Sequence, residues 1–321
     1  MTNALILGGT GWLSGRIARR LLDDGVEVTC LARGGRAAPD GAAFVRGDRE
    51  DPDAYAAVTV KDWDHVIDVS SRADHAAAAV AALGRTAARW TYVSSMSAYS
   101  DDVTIGADES AQLHPAAKAG DEYEYGPQKV AAEEAVRSLG SRALIVRPGL
   151  IVGVGDPSDR FGYWAAAFDR AGSATVLLPP TSGRAVQVID VDDLAAFIAS
   201  APVTGVINTI GDQHPLDDVL AAVRIATGHE GGTISAEDDW LVEHGVGYWA
   251  GERSLPLWLP PDMTGFMTRS NAAYLAEGGT LRPLTDTIAD VLADERARGL
   301  DRERRAGLTR SQEQELIAEL G

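Results

Sequence analysis

The chain has 321 residues, with 29 lysines and arginines against 47 aspartates and glutamates, giving a formal charge of −18 and a sequence pI near 4.7. A hydrophobic fraction of 45% with 24% charged residues belongs to a folded globular chain, and so acidic a surface repels nucleic-acid phosphates and anionic lipid. One cysteine, Cys30, excludes an internal disulfide and a multi-cysteine zinc site, and the six histidines include no i, i+4 pair flanking a glutamate, so metal catalysis has no support.

The N-terminus lacks a basic segment before its short apolar run, and no stretch of about 18 apolar residues occurs. The expectation is a soluble cytoplasmic protein acting on a small-molecule substrate, with neither a nucleic-acid nor a membrane partner. In chain order, Ala4 to Leu7 is an apolar run that meets Gly8-Gly9-Thr10-Gly11, followed by Leu13, Ile17 and Leu21 at i, i+4 spacing: strand, tight turn, helix. Asp23-Asp24-Gly25 ends that helix and Val26 to Ala32 reads as a second strand. Phe44 to Arg46, His65 to Val69, Trp90 to Ser94 and Ala143 to Val146 give four more, most of them separated by alanine-rich helical stretches. Repeated β-α units require crossovers, and right-handed crossovers generate a parallel sheet covered on both faces. The fold class is α/β, a doubly wound parallel sheet with a smaller C-terminal substrate-binding lobe.

Residues 1–152 read as the nucleotide-binding domain, with 185–210 returning to it, and 153–184 and 211–321 as substrate lobe and C-terminal helices. Val186 to Asp190 with a helix over Val191 to Ser200, and Val206 to Ile210 with a helix over Leu216 to Ala226, look like further units of the main sheet. In the tail, one helix is expected around Thr285 to Arg298 and another from Ser311, capped with Gln314 in the capping-box position, to Leu320. Asp301 to Arg305 between them reads as a solvated connector.

A glycine turn between a first strand and a first helix lets backbone N–H groups approach a pyrophosphate whose charge sits on the helix N-terminus. Gly8, Thr10 and Gly11, continued by Trp12 and Leu13, occupy that place, with Ser14 where a third glycine is usual. Beyond the second strand stands no acid for ribose hydroxyls but Arg33 and Arg36, which suit a 2′-phosphate. NADP(H) is therefore preferred, NAD(H) staying possible if the two arginines are only solvated. Asp48, with Arg49 beside it, either accepts a bond from an adenine amino group or simply caps a turn.

Tyr125 and Lys129 lie four residues apart, one turn along a helix running to about Leu139. With only 8 tyrosines and three lysines in the chain, such a pair is rarely accidental. A nearby ammonium favours phenolate and brings a tyrosine towards the range of a proton donor or acceptor, which suits carbonyl chemistry. Ser94, Ser95 and Ser97 offer hydroxyls at the carboxyl edge of the fifth strand, where doubly wound folds bind ligands.

GGTGWLSG, YVSSMSAY, YGPQK, RPGLIVG and QVIDVDDLA, together spanning about two thirds of the chain, resemble the short-chain dehydrogenase/reductase superfamily in its extended branch, the NAD(P)-dependent epimerases, dehydratases and reductases on a Rossmann fold. The resemblance implies that Ser95, four residues before Tyr99, orients a carbonyl. It makes Tyr125 the acid/base, and Lys129 the residue that holds the nicotinamide ribose and lowers the phenol pKa. Val69, Ser70 and Ser71 match the loop after strand four, and Pro148, Gly149 and Ile151 the stretch beside the nicotinamide. Where the family's dehydratases carry an Asp-Glu pair this chain has Met96-Ser97, which disfavours water elimination. Net reduction with NADPH leads. An NAD-retaining epimerase acting on a sugar nucleotide or related substrate is the alternative, and a non-catalytic nucleotide sensor or scaffold is the alternative of another class.

Substrate choice falls to Gly153 to Arg184 and Gly211 to Leu281. There Trp164, Trp240, Trp249, Trp258, Phe161, Tyr163, Tyr248 and Phe266 either wall a pocket or fill a small core. The cations Arg160, Arg184, Arg253 and Arg269 are scattered without a diphosphate-binding pattern, and His75 and His114 are isolated. The resemblance also implies a homodimer through the helix that carries Tyr125.

Overall fold

The computed structural model describes residues 2–321. In chain order, its first half comprises β1 (Asn3–Leu7), α1 (Trp12–Asp23), β2 (Glu27–Ala32), β3 (Ala43–Arg46), β4 (Trp63–Asp68), α2 (Ala73–Leu83), β5 (Ala87–Val93), α3 (Tyr125–Arg137), β6 (Ala143–Val146) and β7 (Leu150–Val152). Then come α4 (Arg160–Ala171), β8 (Val176–Leu178), β9 (Ala185–Asp190), α5 (Val191–Ser200), β10 (Gly205–Ile207), β11 (Gln213–Pro215) and α6 (Leu216–Thr227). The rest is β12 (Thr233–Ser235), α7 (Asp238–Glu243), β13 (Gly247–Trp249), β14 (Ser254–Pro256), α8 (Ala272–Ala276), α9 (Leu284–Arg298) and α10 (Arg310–Leu320).

Seven strands form one sheet in the order β10-β6-β5-β4-β1-β2-β3, every pair parallel. The winding reverses between β1 and β4, which opens a crevice beyond their carboxyl ends. Side chains alternate across this sheet: Ala4 and Ile6 of β1 pack with Ile17, Leu21 and the α5 residues Leu194 and Ile198, whereas Leu5 and Leu7 pack with Ala76, Ala79, Trp90 and Val136. Covering both faces explains why these strands are apolar throughout.

β9 is a correction to the expected topology. It pairs in parallel with β7 and antiparallel with β11, in a separate three-stranded sheet, and only β10 joins the main sheet, beside β6. A buried strand's apolar pattern reports burial and not its pairing partner. The helix after β9, α5, nevertheless lies on the main sheet's core, while α6 packs with Phe168, Val291 and Leu292 in the lobe. The lobe core gathers Phe161, Tyr163, Trp164, Phe168 and Trp258, so these aromatics are filling and not pocket wall.

Two tail expectations also change. α10 is capped by Thr309, whose hydroxyl accepts from the Gln312 amide at 3.3 Å while Gln312 returns a bond at 2.8 Å, so the capping box lies two residues earlier than Ser311 and Gln314. Both tetrads satisfy the same sequence pattern, and the helix takes the earlier one. Asp301 to Arg305 is not merely solvated: Arg302 and Arg304 turn inward onto Glu295, and Arg302 onto Asp159. Among the described residues no helix is long and apolar enough to cross a membrane.

Candidate active site

The crevice begins at the turn after β1. Gly8 has φ +83°, and a Cβ there would stand 3.1 Å from Val69 Cγ2; one on Gly9 would strike Cys30 at 2.7 Å. Glycine is required at both for different reasons, backbone conformation at the first and contact with β2 at the second. Ser14 completes the turn in place of a third glycine: its hydroxyl donates to Gly8 O at 2.7 Å and accepts from Gly11 N–H at 2.9 Å. Close packing of α1 on the sheet therefore survives the substitution, with Ser14 buried.

A cleft of about 930 Å³ extends from this turn, lined by Gly8, Thr10, Gly11, Arg33, Arg36, Asp48, Arg49, Val69, Ser70 and Ser71. Arg33 and Arg36 are exposed, and neither forms a salt bridge among the described residues. Asp48 accepts a backbone bond from Glu50 at 3.3 Å, as a turn-capping aspartate does. Arg49 has its guanidinium engaged within the protein, forked onto buried Asp68 at 2.7 and 2.8 Å and donating also to Tyr55 Oη and His75 O. Asp68 in turn accepts from Ser70 N–H at 2.9 Å, fixing the loop after β4.

A second cavity of about 480 Å³ shares Gly11 and Val69 with the first and contains Trp12, Leu13, Ser94, Ser95, Tyr125, Lys129, Pro148, Gly149 and Ile151. Every site residue expected from the sequence thus lines one of two adjoining cavities. Tyr125 opens α3 and Lys129 follows one turn later, its Nζ 5.6 Å from the Tyr125 ring centre. The ammonium is buried and donates to Ser70 O and Val93 O, each at 2.7 Å. Burial pulls Lys129 down to about 7, with Asp68 and Glu133 pulling the other way. Burial raises the Tyr125 phenol above its ordinary value, and the groups drawing it back are Ser95, by a hydrogen bond, and Arg160, by charge. The Lys129 ammonium donates to two carbonyls at the sheet edge, and Arg160 is a further cation acting on the phenol.

Ser95 opens a 3-10 turn and accepts from Ser97 N–H at 3.1 Å, which holds the Ser95 side chain at the cavity wall. Ser94 is spent inward, donating at 2.5 Å to Glu133, which is forked onto buried Arg147 at 2.8 and 2.6 Å. Glu133 thus joins α3 to the end of β6 directly behind the turn that carries Ser94 and Ser95. Gly149 is closely packed, since a Cβ would stand 3.0 Å from Ile210 and 3.2 Å from Met96 Sδ.

The glycine turn thus leads into a cavity that holds Ser95, Tyr125 and Lys129. The sequence profile of the NAD dependent epimerase/dehydratase family matches residues 4–205. The chain belongs to this family. It is 30% identical over 259 residues to 2′-dehydrokanamycin reductase of Streptomyces kanamyceticus, covering 74% of this chain and 70% of that one. A crystal structure from Burkholderia cenocepacia superposes with a TM-score of 0.71 at 21% identity, covering 92% and 98% of the two chains. UDP-glucose 4-epimerase of Thermus thermophilus, solved in complex with NAD, gives 0.66 at 19%, covering 93% and 100%. The protein is thus an enzyme of the NAD(P)-dependent oxidoreductase and epimerase class.

The second cavity has a further wall contributed by the lobe. It is lined by Asp156, Ser158, Arg160, Trp249 and Phe266. Of the eight aromatics considered for a wall, Trp249 and Phe266 serve, meeting edge to face at 5.5 Å. Arg184, Arg253 and Arg269 pair elsewhere, with Asp238, Glu315 and Asp102. Asp68, Glu133, Asp156 and Ser158 escaped the sequence reading. A charged residue ending a buried strand, as Asp68 ends His65-Val66-Ile67-Asp68, was the available signal.

Proposed function

We propose that the protein is an NADP-dependent oxidoreductase that moves a hydride between the cofactor and a carbonyl or alcohol carbon, with Tyr125 as acid/base. The observation that carries the reading is one cavity holding the Ser95 side chain, the Tyr125 phenol and buried Lys129 beside the phosphate cradle. The glycine turn fits a dinucleotide, because its packing on Val69, Cys30 and Ser14, with no room for a Cβ at Gly9, brings the N-terminus of α1 to the cleft. Backbone N–H groups of the turn would hold the pyrophosphate, and Arg33 and Arg36 would hold the 2′-phosphate.

When bound, NADPH supplies the hydride. Ser95 donates a hydrogen bond to the substrate carbonyl oxygen and turns its carbon towards the cofactor. As the C=O bond opens, the Tyr125 phenol gives its proton to that oxygen, so carbonyl becomes alcohol and the phenolate regains a proton from solvent. Lys129, anchored on Ser70 O and Val93 O, would hold the cofactor ribose with its remaining donor. Net reduction is favoured over epimerisation by the paired arginines and by the reductase among the relatives. The assembly that goes with this reading is a cytoplasmic homodimer through α3.

Calorimetric titration with NADPH and NADH, with mass spectrometry of any co-purifying nucleotide, tests the cofactor assignment. The reading expects NADPH to bind at least tenfold more tightly, to a site empty as purified. Tightly retained NAD would move the assignment to an epimerase, and no binding of either would leave a scaffold.

A further inference from the structure

We propose that Arg160, laid on Trp249 at the mouth of the catalytic cavity, is the substrate-recognition cation, and that the substrate is a ketone or secondary alcohol carrying a single carboxylate on an apolar body. The inference rests on the reductase reading of the Tyr125 cavity and adds the substrate class to it.

The Arg160 guanidinium sits 5.0 Å from the Trp249 ring centre, and only its Nε has a protein partner, Ser158 Oγ at 3.3 Å. It makes no salt bridge among the described residues, although Asp156 is nearby: that carboxylate is turned to Ser158, accepting from its amide at 2.8 Å and its hydroxyl at 2.9 Å. A guanidinium attracted to an aromatic face keeps its terminal donors as a fork suited to a planar carboxylate.

This placement is built. Asp159, which caps α4 immediately before Arg160, has φ +60°, and Trp249 has φ +65°, both left-handed conformations for residues with side chains. Asp159 is held there by Arg298 at 3.2 Å, by Arg302 and by the Arg305 amide at 3.0 Å. The connector between α9 and α10 thus fixes the residue that aims Arg160 into the cavity. Lys129, the other cation in this cavity, is occupied by two carbonyls, which leaves one free cation facing Tyr125. A nucleoside diphosphate calls for several convergent cations, and a polyamine substrate would meet Arg160 as a like charge. Trp249 and Phe266 supply apolar wall for the remainder of the substrate.

The test is calorimetric binding to the full-length enzyme saturated with NADP+, using 4-oxocyclohexanecarboxylate, its methyl ester and 4-aminocyclohexanone. The acid is expected to bind at least tenfold more tightly than the ester, and Arg160→Gln to bring the two within twofold. Arg160→Lys, which keeps the charge without the fork, retains part of the preference, and thermal unfolding of both variants checks that they fold. Equal binding of acid and ester, a preference that survives Arg160→Gln, tighter binding of the amine, or no binding of the acid at millimolar concentration would each overturn the inference. Consumption of NADPH with the acid is scored separately. An Arg160-dependent preference without turnover would sink the reductase reading and leave the recognition role standing.

Discussion

Arg33 and Arg36 are two exposed side chains on which the cofactor assignment turns. Charge-assisted hydrogen bonds to a phosphate contribute about 1.5–3 kcal/mol each. Replacing both with alanine is therefore expected to cost about 3 kcal/mol or more, weakening NADPH by at least about 100-fold while moving NADH less than about threefold, since NADH lacks the phosphate. Equal losses for both cofactors would show that the arginines act only through general charge. At Tyr125 the sign of the pH dependence follows from the proton it carries. Reduction needs the protonated phenol and declines as pH rises through its pKa, whereas oxidation needs the phenolate and rises there. Because burial raises the phenol, the turn lies on the alkaline side of the usual tyrosine value, with Ser95 and Arg160 opposing. Parallel profiles in the two directions would contradict the role. The i, i+4 spacing made Tyr125 and Lys129 legible, since side chains one turn apart share a helix face. Arg160 was visible as a basic residue but not as a site residue, because its meaning depends on Trp249, 89 positions away.

Between elements, the buried Glu133–Arg147 pair is the joint that holds α3, with Tyr125 and Lys129, against β6. Burial pushes the Glu133 carboxyl up, but the Arg147 hydrogen bonds and charge, with the Ser94 bond, more than offset it and hold the group below its usual value. Its contribution is present above pH 4.5, the ordinary value, and is lost as pH falls through the lowered folded one. Removing one partner of a buried pair strands the other, so Glu133→Ala is expected to cost about 3–5 kcal/mol in urea unfolding. Arg137→Ala, on the half-exposed partner of the same carboxylate, is expected to cost about 0–1 kcal/mol. Equal losses would contradict the assignment of the joint to Arg147. The strands and helices of the main sheet were legible because local periodicity dictates them. The destination of β9, the route of residues 100–124 and the inward turn of Arg302 were not, because they depend on partners distant in sequence. Residues 100–124, for example, exchange backbone bonds with Gly265, Thr268 and Ser270.

The whole molecule carries a charge of −18, yet its acid sensitivity has a local source in the central sheet. His65 is buried between β1 and β5, its Nδ1 accepting from Arg89 at 2.7 Å and its Nε2 meeting Thr91 Oγ1 at 2.8 Å. Burial, with Arg89, holds the ring neutral and its pKa well below 6.5. The unfolded chain takes up a proton there that the folded one refuses, so stability falls as pH drops below 6.5. The slope from this one group is up to about 1.4 kcal/mol per pH unit. Urea unfolding at pH 7.5, 6 and 5 measures it, and His65→Gln is expected to flatten the slope between pH 6.5 and 5. An unchanged slope would place the acid sensitivity in the carboxylates alone.

The central claim is that one cavity joins a bound cofactor to proton transfer by Tyr125. The most direct measurement compares wild-type protein and Tyr125→Phe for NADPH oxidation across a panel of ketones, together with NADPH affinity. The account predicts that the variant loses at least about a thousandfold in turnover while binding NADPH within about threefold of wild type. Turnover equal to wild type in the variant would contradict it.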